Sequence, residues 1–179
     1  MAFALAFTGK IGSGKTTLTT ALARELGCRR ASFGDYVRHV VNRLGLDENR
    51  ENLQRVGTEL LERDRLEFCG AVLSHSGWTA GESVVLDGLR HEETIEPIQG
   101  IVQPAHLEII FVEIDEQTRL NRLGIRGDGD RRALSLADSH SSEGQVSFIL
   151  AQRADLIVRG DDPVEANIEY IKNWIDRGH

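Results

Sequence analysis

Apolar residues along this chain alternate between short unbroken runs and spaced stripes. The run over residues 3–8 is mostly apolar and contains aromatics, with the length of a buried strand. Behind it Leu18, Leu22 and Leu26 recur every four residues, one face of a helix that ends near Gly27. A short strand is predicted over 30–33, leading through Gly34 and Asp35 into a second helix. Over 48–77, Leu53, Val56, Leu60, Leu61, Phe68, Val72 and Leu73 fall mostly at helical intervals, with Gly57 a weak spot. SVVLDG (83–88), LEIIFVEID (107–115) and ADLIV (154–158) read as three more buried strands. A last helix is expected to begin at Pro163 and stop at Gly178.

Strands separated by helices imply right-handed crossovers and a parallel sheet covered on both faces. Ligands of such sheets gather at the carboxyl ends of the strands. The polar groups Gly34 and Asp35, and those from Asp87 to Arg90, follow strands in just this way. So does GKIGSGKTT, residues 9–17, which follows the first strand and opens the first helix.

That stretch fits the phosphate-binding pattern GxxxxGK[ST] through Gly9, Gly14, Lys15 and Thr16. In such a loop backbone N–H groups wrap a polyphosphate, the lysine reaches the outer phosphates and the hydroxyl ligates Mg²⁺. The helix behind it adds unpaired N–H donors and partial positive charge aimed at the anion. Gly9, Ile11, Gly12, Ser13, Gly14, Lys15, Thr16 and Thr17 are therefore the candidate nucleotide-binding residues, with ATP and Mg²⁺ the expected cofactors.

Composition adds limits. A chain of 179 residues is most simply one domain, long enough to bury roughly 70% of its unfolded surface. A net charge of −7 argues against broad nucleic-acid binding, which depends on Lys and Arg neutralising phosphates. Cys28 and Cys69 lie far apart without metal-ligand spacing, and read as packed or idle thiols. The N-terminal apolar run is short, lacks a basic leader and enters the loop directly, as a strand does and a signal peptide does not. No segment approaches the roughly 20 apolar residues that span a bilayer, so no membrane association and a cytoplasmic location are expected.

Phosphoryl transfer needs a second set of anion-binding groups. GDYVR offers Asp35 and Arg38, three residues apart in the first turn of a helix; Asp35 is equally placed to cap that helix. LDGLRHEE offers Asp87, either holding a water on Mg²⁺ or capping a helix, and Arg90 projecting into the same crevice. Arg119, Arg122 and Arg126 are spaced as one stripe on a helix, either a solvated face or a seat for an anion. Gly127 and Gly129 then open a polar stretch that suits a lid or a long surface loop.

In order and location these stretches, with ADLIVRGDDP, resemble the P-loop nucleoside monophosphate kinases and the related dephospho-coenzyme A kinases over nearly the whole chain. The resemblance implies an α/β, three-layer P-loop NTPase fold. Its parallel five-stranded sheet would run in the order 2-3-1-4-5 with helices on both faces. It also implies an acceptor-binding insertion over about residues 36–80, with a flap at 50–77, and a short lid over about 125–145. Lys15, Asp35, Arg122 and Arg126 would be catalytic, with Arg122 also touching the nucleotide, and Arg119, Arg122 and Arg126 would match lid-side arginines that stabilise the transferring phosphoryl group. Asp35, Arg38, Asp87 and Arg90 would hold the acceptor, Thr16 and Asp87 the metal, and RGDDP would lie near the adenine. The implied partner is a small nucleotide acceptor, and the implied assembly a monomer or homodimer. Two departures stand out: the lid carries no zinc-type cysteines, and the acceptor region lacks a pattern that names a base. In dephospho-coenzyme A kinases an Asp after the second strand takes a proton from a ribose hydroxyl, a role open to Asp35 beside that of cap. A kinase acting on a nucleic-acid hydroxyl or modified base, and a regulatory ATP-binding switch, are the competing expectations.

Overall fold

The computed structural model describes residues 2–125 and 148–177. Five parallel strands form one sheet in the order β2-β3-β1-β4-β5, the order the resemblance implies. They are β1 (Ala4–Thr8), β2 (Arg29–Ser32), β3 (Val84–Asp87), β4 (Leu107–Glu113) and β5 (Leu156–Arg159). The helices between them are α1 (Lys15–Glu25), α2 (Phe33–Arg43), α3 (Arg50–Arg63), α4 (Arg65–His75), α5 (Ile95–Val102), α6 (Glu116–Ile125) and α7 (Val164–Asp176).

Side chains alternate across a strand, and here that alternation sorts the interior into two cores. Ala4 and Ala6 of β1 face a cluster with Val37 and Val41 of α2, Val56 and Leu61 of α3, Phe68 and Val72 of α4, and Ile98 of α5. Leu5 and Phe7 face the other way, onto Leu18 and Leu22 of α1 and Ile171 of α7. Every residue of β1 is buried, as a central strand covered on both faces should be.

Two boundaries differ from those the pattern predicts, each for a local reason. Strand β2 ends at Ser32 because its hydroxyl accepts the backbone N–H of Asp35 at 3.2 Å and caps α2, which begins at Phe33. Ser32, and not Asp35, is thus the cap. The long helical stretch divides at Asp64, whose carboxylate accepts from Glu67 N at 2.9 Å and starts α4. Gly57 causes no break: it lies inside α3, facing Val37 of α2. The pattern gives no sign of α5, a short helix with Pro97 in its first turn. Among the described residues no helix is long and apolar enough to cross a membrane.

Leu22 is fully buried in the core beneath α1. Leu22→Ala is expected to cost about 2–5 kcal/mol through lost burial and a residual cavity, seen as a lower urea midpoint with an unchanged slope.

Candidate active site

The carboxyl ends of β1, β3 and β4 surround the glycine loop. Gly9, Gly12 and Gly14 all have positive φ, and Gly14, at φ 94°, is the residue before α1. A Cβ on Gly9 would stand 2.5 Å from the Val112 carbonyl oxygen, so the loop starts hard against β4, and Gly12 is covered by side chains. A Cβ there would stand 3.1 Å from Leu123 and 3.2 Å from Arg119, so α6 lies directly on the loop only because that position is bare. The Lys15 ammonium turns back over the loop and donates to the carbonyls of Gly9 at 2.5 Å and Lys10 at 2.8 Å. Thr16 and Thr17 are exposed in the first turn of α1, while Ser13 is buried.

The expected arginine stripe on α6 divides. Arg119 is 1% exposed and its guanidinium is taken by Glu116, at 2.7 Å from Nη2, and by the Ile11 carbonyl at 3.4 Å from Nη1. It is a strut between α6 and the loop; its hydrogen bond also pulls the Glu116 carboxyl below the usual range. Arg122 sits on the loop itself, with Nη1 3.5 Å from Ser13 O. Arg126 and, from residue 126 on, the stretch expected as a lid over about 125–145 fall outside the described residues.

On the opposite side of the crevice an ion-pair network gathers three expected residues around one that the pattern does not single out. Arg30 donates from Nε to Thr19 Oγ1 at 3.1 Å and from Nη1 to Asp35 Oδ2 at 2.9 Å, and its Nη2 pairs with Asp87 Oδ2. Asp35 Oδ1 in turn accepts from Arg38 Nη1 at 2.9 Å, and Arg38 also pairs with Glu48 at 3.1 Å. Burial alone would lower the Arg30 guanidinium, but the attraction of Asp87 and Asp35 outweighs it and leaves it raised. Asp87 is 4% exposed, and its carboxylate faces Arg30 rather than a helix start. Arg90 is exposed on the loop just after β3.

A third wall comes from the loop after β5. Gly160 N donates to Glu113 O, and a Cβ on Gly160 would lie 2.1 Å from Ser13 O, inside any permitted contact. Buried Asn167 fixes this loop by donating to Arg159 O at 2.7 Å. Glu113, Ile114, Asp115, Arg159 and Asp161 line an open cleft there. A hydrogen bond from Arg159 holds the Asp161 carboxyl below its ordinary value. Gly160 belongs to the RGDDP stretch that the resemblance sets near the adenine, but nothing in the pattern shows its contact with the phosphate loop.

Among the described residues no three His, Cys, Asp or Glu side chains could cage a metal. Both cysteines are free; burial pushes the Cys69 thiol up to about 12, which suits a packed thiol.

This fold and this loop define a P-loop phosphotransferase. The AAA domain family profile matches residues 5–145. A UPF0200 protein of Aeropyrum pernix is 34% identical over 157 residues, covering 86% of this chain and 82% of its own. An adenylate kinase of Synechococcus sp. WH7803 is 30% identical over 131 residues, 70% of each chain. A solved putative kinase from Chloroflexus aurantiacus superposes with a TM-score of 0.63 at 19% identity, covering 99% of this chain and 98% of that one, and so shares the fold. The chain belongs to the AAA domain family, among its nucleoside monophosphate kinase-like members with the UPF0200 proteins.

Gly160→Ala is expected to displace the loop and weaken ADP binding at least about tenfold, a loss of roughly 1.4 kcal/mol or more. Gly100→Ala, on α5 in open space, is the control and leaves affinity unchanged; calorimetric titration reads both.

Proposed function

We propose that this protein is an ATP- and Mg²⁺-dependent kinase whose acceptor is a small phosphorylated nucleotide, a nucleoside or deoxynucleoside monophosphate. The observation that carries the choice of acceptor is the state of Asp35. Both of its oxygens accept from guanidinium groups, Oδ2 from Arg30 and Oδ1 from Arg38. A hydroxyl acceptor needs a base to take its proton, whereas a phosphate acceptor is already anionic. A carboxylate engaged at both oxygens suits the fixing of Arg38 better than the taking of a proton.

On this reading the loop N–H groups and Lys15 bind the β and γ phosphates, for which the Lys15 ammonium leaves the carbonyls of Gly9 and Lys10. Thr16 and Asp87 would hold the metal, which when bound would offset the charge of the phosphates. Arg38 and Arg90 hold the acceptor phosphate in line, with residues 50–77, which carry α3 and α4, forming the acceptor-binding flap. An oxygen of that phosphate bonds to the γ phosphorus while the bond to the β–γ bridging oxygen breaks, and ADP leaves with the electron pair. Arg122, already on the loop, neutralises the transferring group with Arg126 as its companion. The cleft after β5 receives the base. Binding of this kind turns a bimolecular encounter into an oriented one, where most of the advantage in phosphoryl transfer lies.

The test is ADP release from ATP and Mg²⁺ across nucleoside monophosphates, deoxynucleoside monophosphates, dephospho-coenzyme A and a single-stranded oligonucleotide, beside a control without acceptor. Strong stimulation by a monophosphate is expected. Stimulation only by dephospho-coenzyme A or the oligonucleotide would refute the proposed acceptor, and tight ATP binding with no stimulation would favour a nucleotide switch. Lys15→Ala is expected to abolish turnover; Arg122→Ala should lower kcat by about 10³-fold with a smaller effect on KM for ATP.

A further inference from the structure

Thr16 and Asp87, assigned above to the metal, come from different elements, α1 and β3. A chain of hydrogen bonds joins them. Thr19 Oγ1 donates to Thr16 O at 3.2 Å and accepts from Arg30 Nε at 3.1 Å, and Arg30 Nη2 then pairs with Asp87. The remaining nitrogen, Nη1, reaches Asp35 on α2 at 2.9 Å. Every nitrogen of one guanidinium is thus bound to a different element, and its planar fork fixes their relative directions. The Arg30 side chain is only 19% exposed and Asp87 only 6%. A buried carboxylate is held in place by its cation and loses both its partner and its fixed direction without it.

We propose that Arg30 is a positioning residue that locks the Asp87 carboxylate, the first turn of α1 and the Asp35–Arg38 pair into one frame. The proposal rests on the reading that Asp87 serves the metal and Arg38 the acceptor. Arg30 itself touches neither substrate. Only one oxygen of Asp87 is used by Arg30, which leaves Oδ1 for water on the metal. Lysine keeps the charge but bonds as a point and cannot span three partners.

The experiment is a double-mutant cycle of Arg30→Met and Asp87→Asn, with Arg30→Lys beside it. Arg30→Met is expected to lower kcat about 100-fold while KM for ATP stays within roughly threefold, and Arg30→Lys to recover part of that loss. In the Asp87→Asn background the further loss from Arg30→Met should be under about threefold, because coupled residues are not additive. The same loss in both backgrounds, or an unchanged kcat, overturns the proposal. Should Arg30→Met fail to fold, Arg30→Lys is carried through the same cycle. If the wild type phosphorylates no acceptor, the functional reading fails but this one remains open to test. The Mg²⁺ concentration that half-saturates its enhancement of ADP binding should then rise about fivefold or more in Arg30→Met, and not in the Asp87→Asn background. An unchanged concentration in that assay overturns the role given to Arg30.

Discussion

A phosphate-binding loop made largely of glycine and small residues cannot hold its own shape, so this molecule holds it from outside. The decisive contact is backbone against backbone, where Gly160 lies on the Ser13 carbonyl while its own N–H bonds Glu113. On the other flank Leu123 and Arg119 close over Gly12. The loop is wedged between the ends of β4 and β5 and the side of α6. Ordering glycine carries a large entropic cost, and here packing against β4, the loop after β5 and α6 offsets it. The buried Arg119 with its Glu116 partner belongs to the same support. A cation at this depth is tolerated because a carboxylate and a carbonyl saturate it.

Facing the loop, the crevice is organised by charge pairing. Asp35 and Asp87 approach the same guanidinium, and Arg38, which also pairs with Glu48, joins through Asp35, so the charge of both aspartates is balanced by guanidiniums. Without that balance two acidic groups beside a polyphosphate site would repel the substrates they serve. The arrangement follows from strand order. Only because β2 and β3 are neighbours, with Ser32 opposite Asp87, does an arginine on one reach a carboxylate on the other.

The parts legible in the sequence are those whose cause is local. Glycine, lysine and threonine at fixed spacing between an apolar run and a leucine stripe show the loop, its strand and its helix. Four more runs show the remaining strands, and the resemblance supplies their order. Arg30 is not legible, because its partner Asp87 is 57 positions away and CRRAS looks like any basic strand edge. Arg119 and Arg122 look alike on a helical wheel, but Glu116 stands one turn before the first and removes it from solvent. Ser32 takes the cap from Asp35 because the chain turns into α2 one residue earlier than the apolar pattern implies. Short α5 escapes because eight residues are too few for a stripe to be seen.

The division of the interior into two cores has an evolutionary consequence. Lys15 and Thr16 ride on α1, whose buried face packs with β1, β4, β5 and α7, while Asp35 and Arg38 ride on α2, which shares its core with α3, α4 and α5. Substitutions that reshape the second core can tilt or shift α2 without touching the leucines beneath α1, since distant sites with no shared partners vary independently. Lineages built on this plan are free to drift in one recognition surface while the other stays fixed. Descendants should therefore diverge most among the helices that follow β2, and least around the strand that begins the chain.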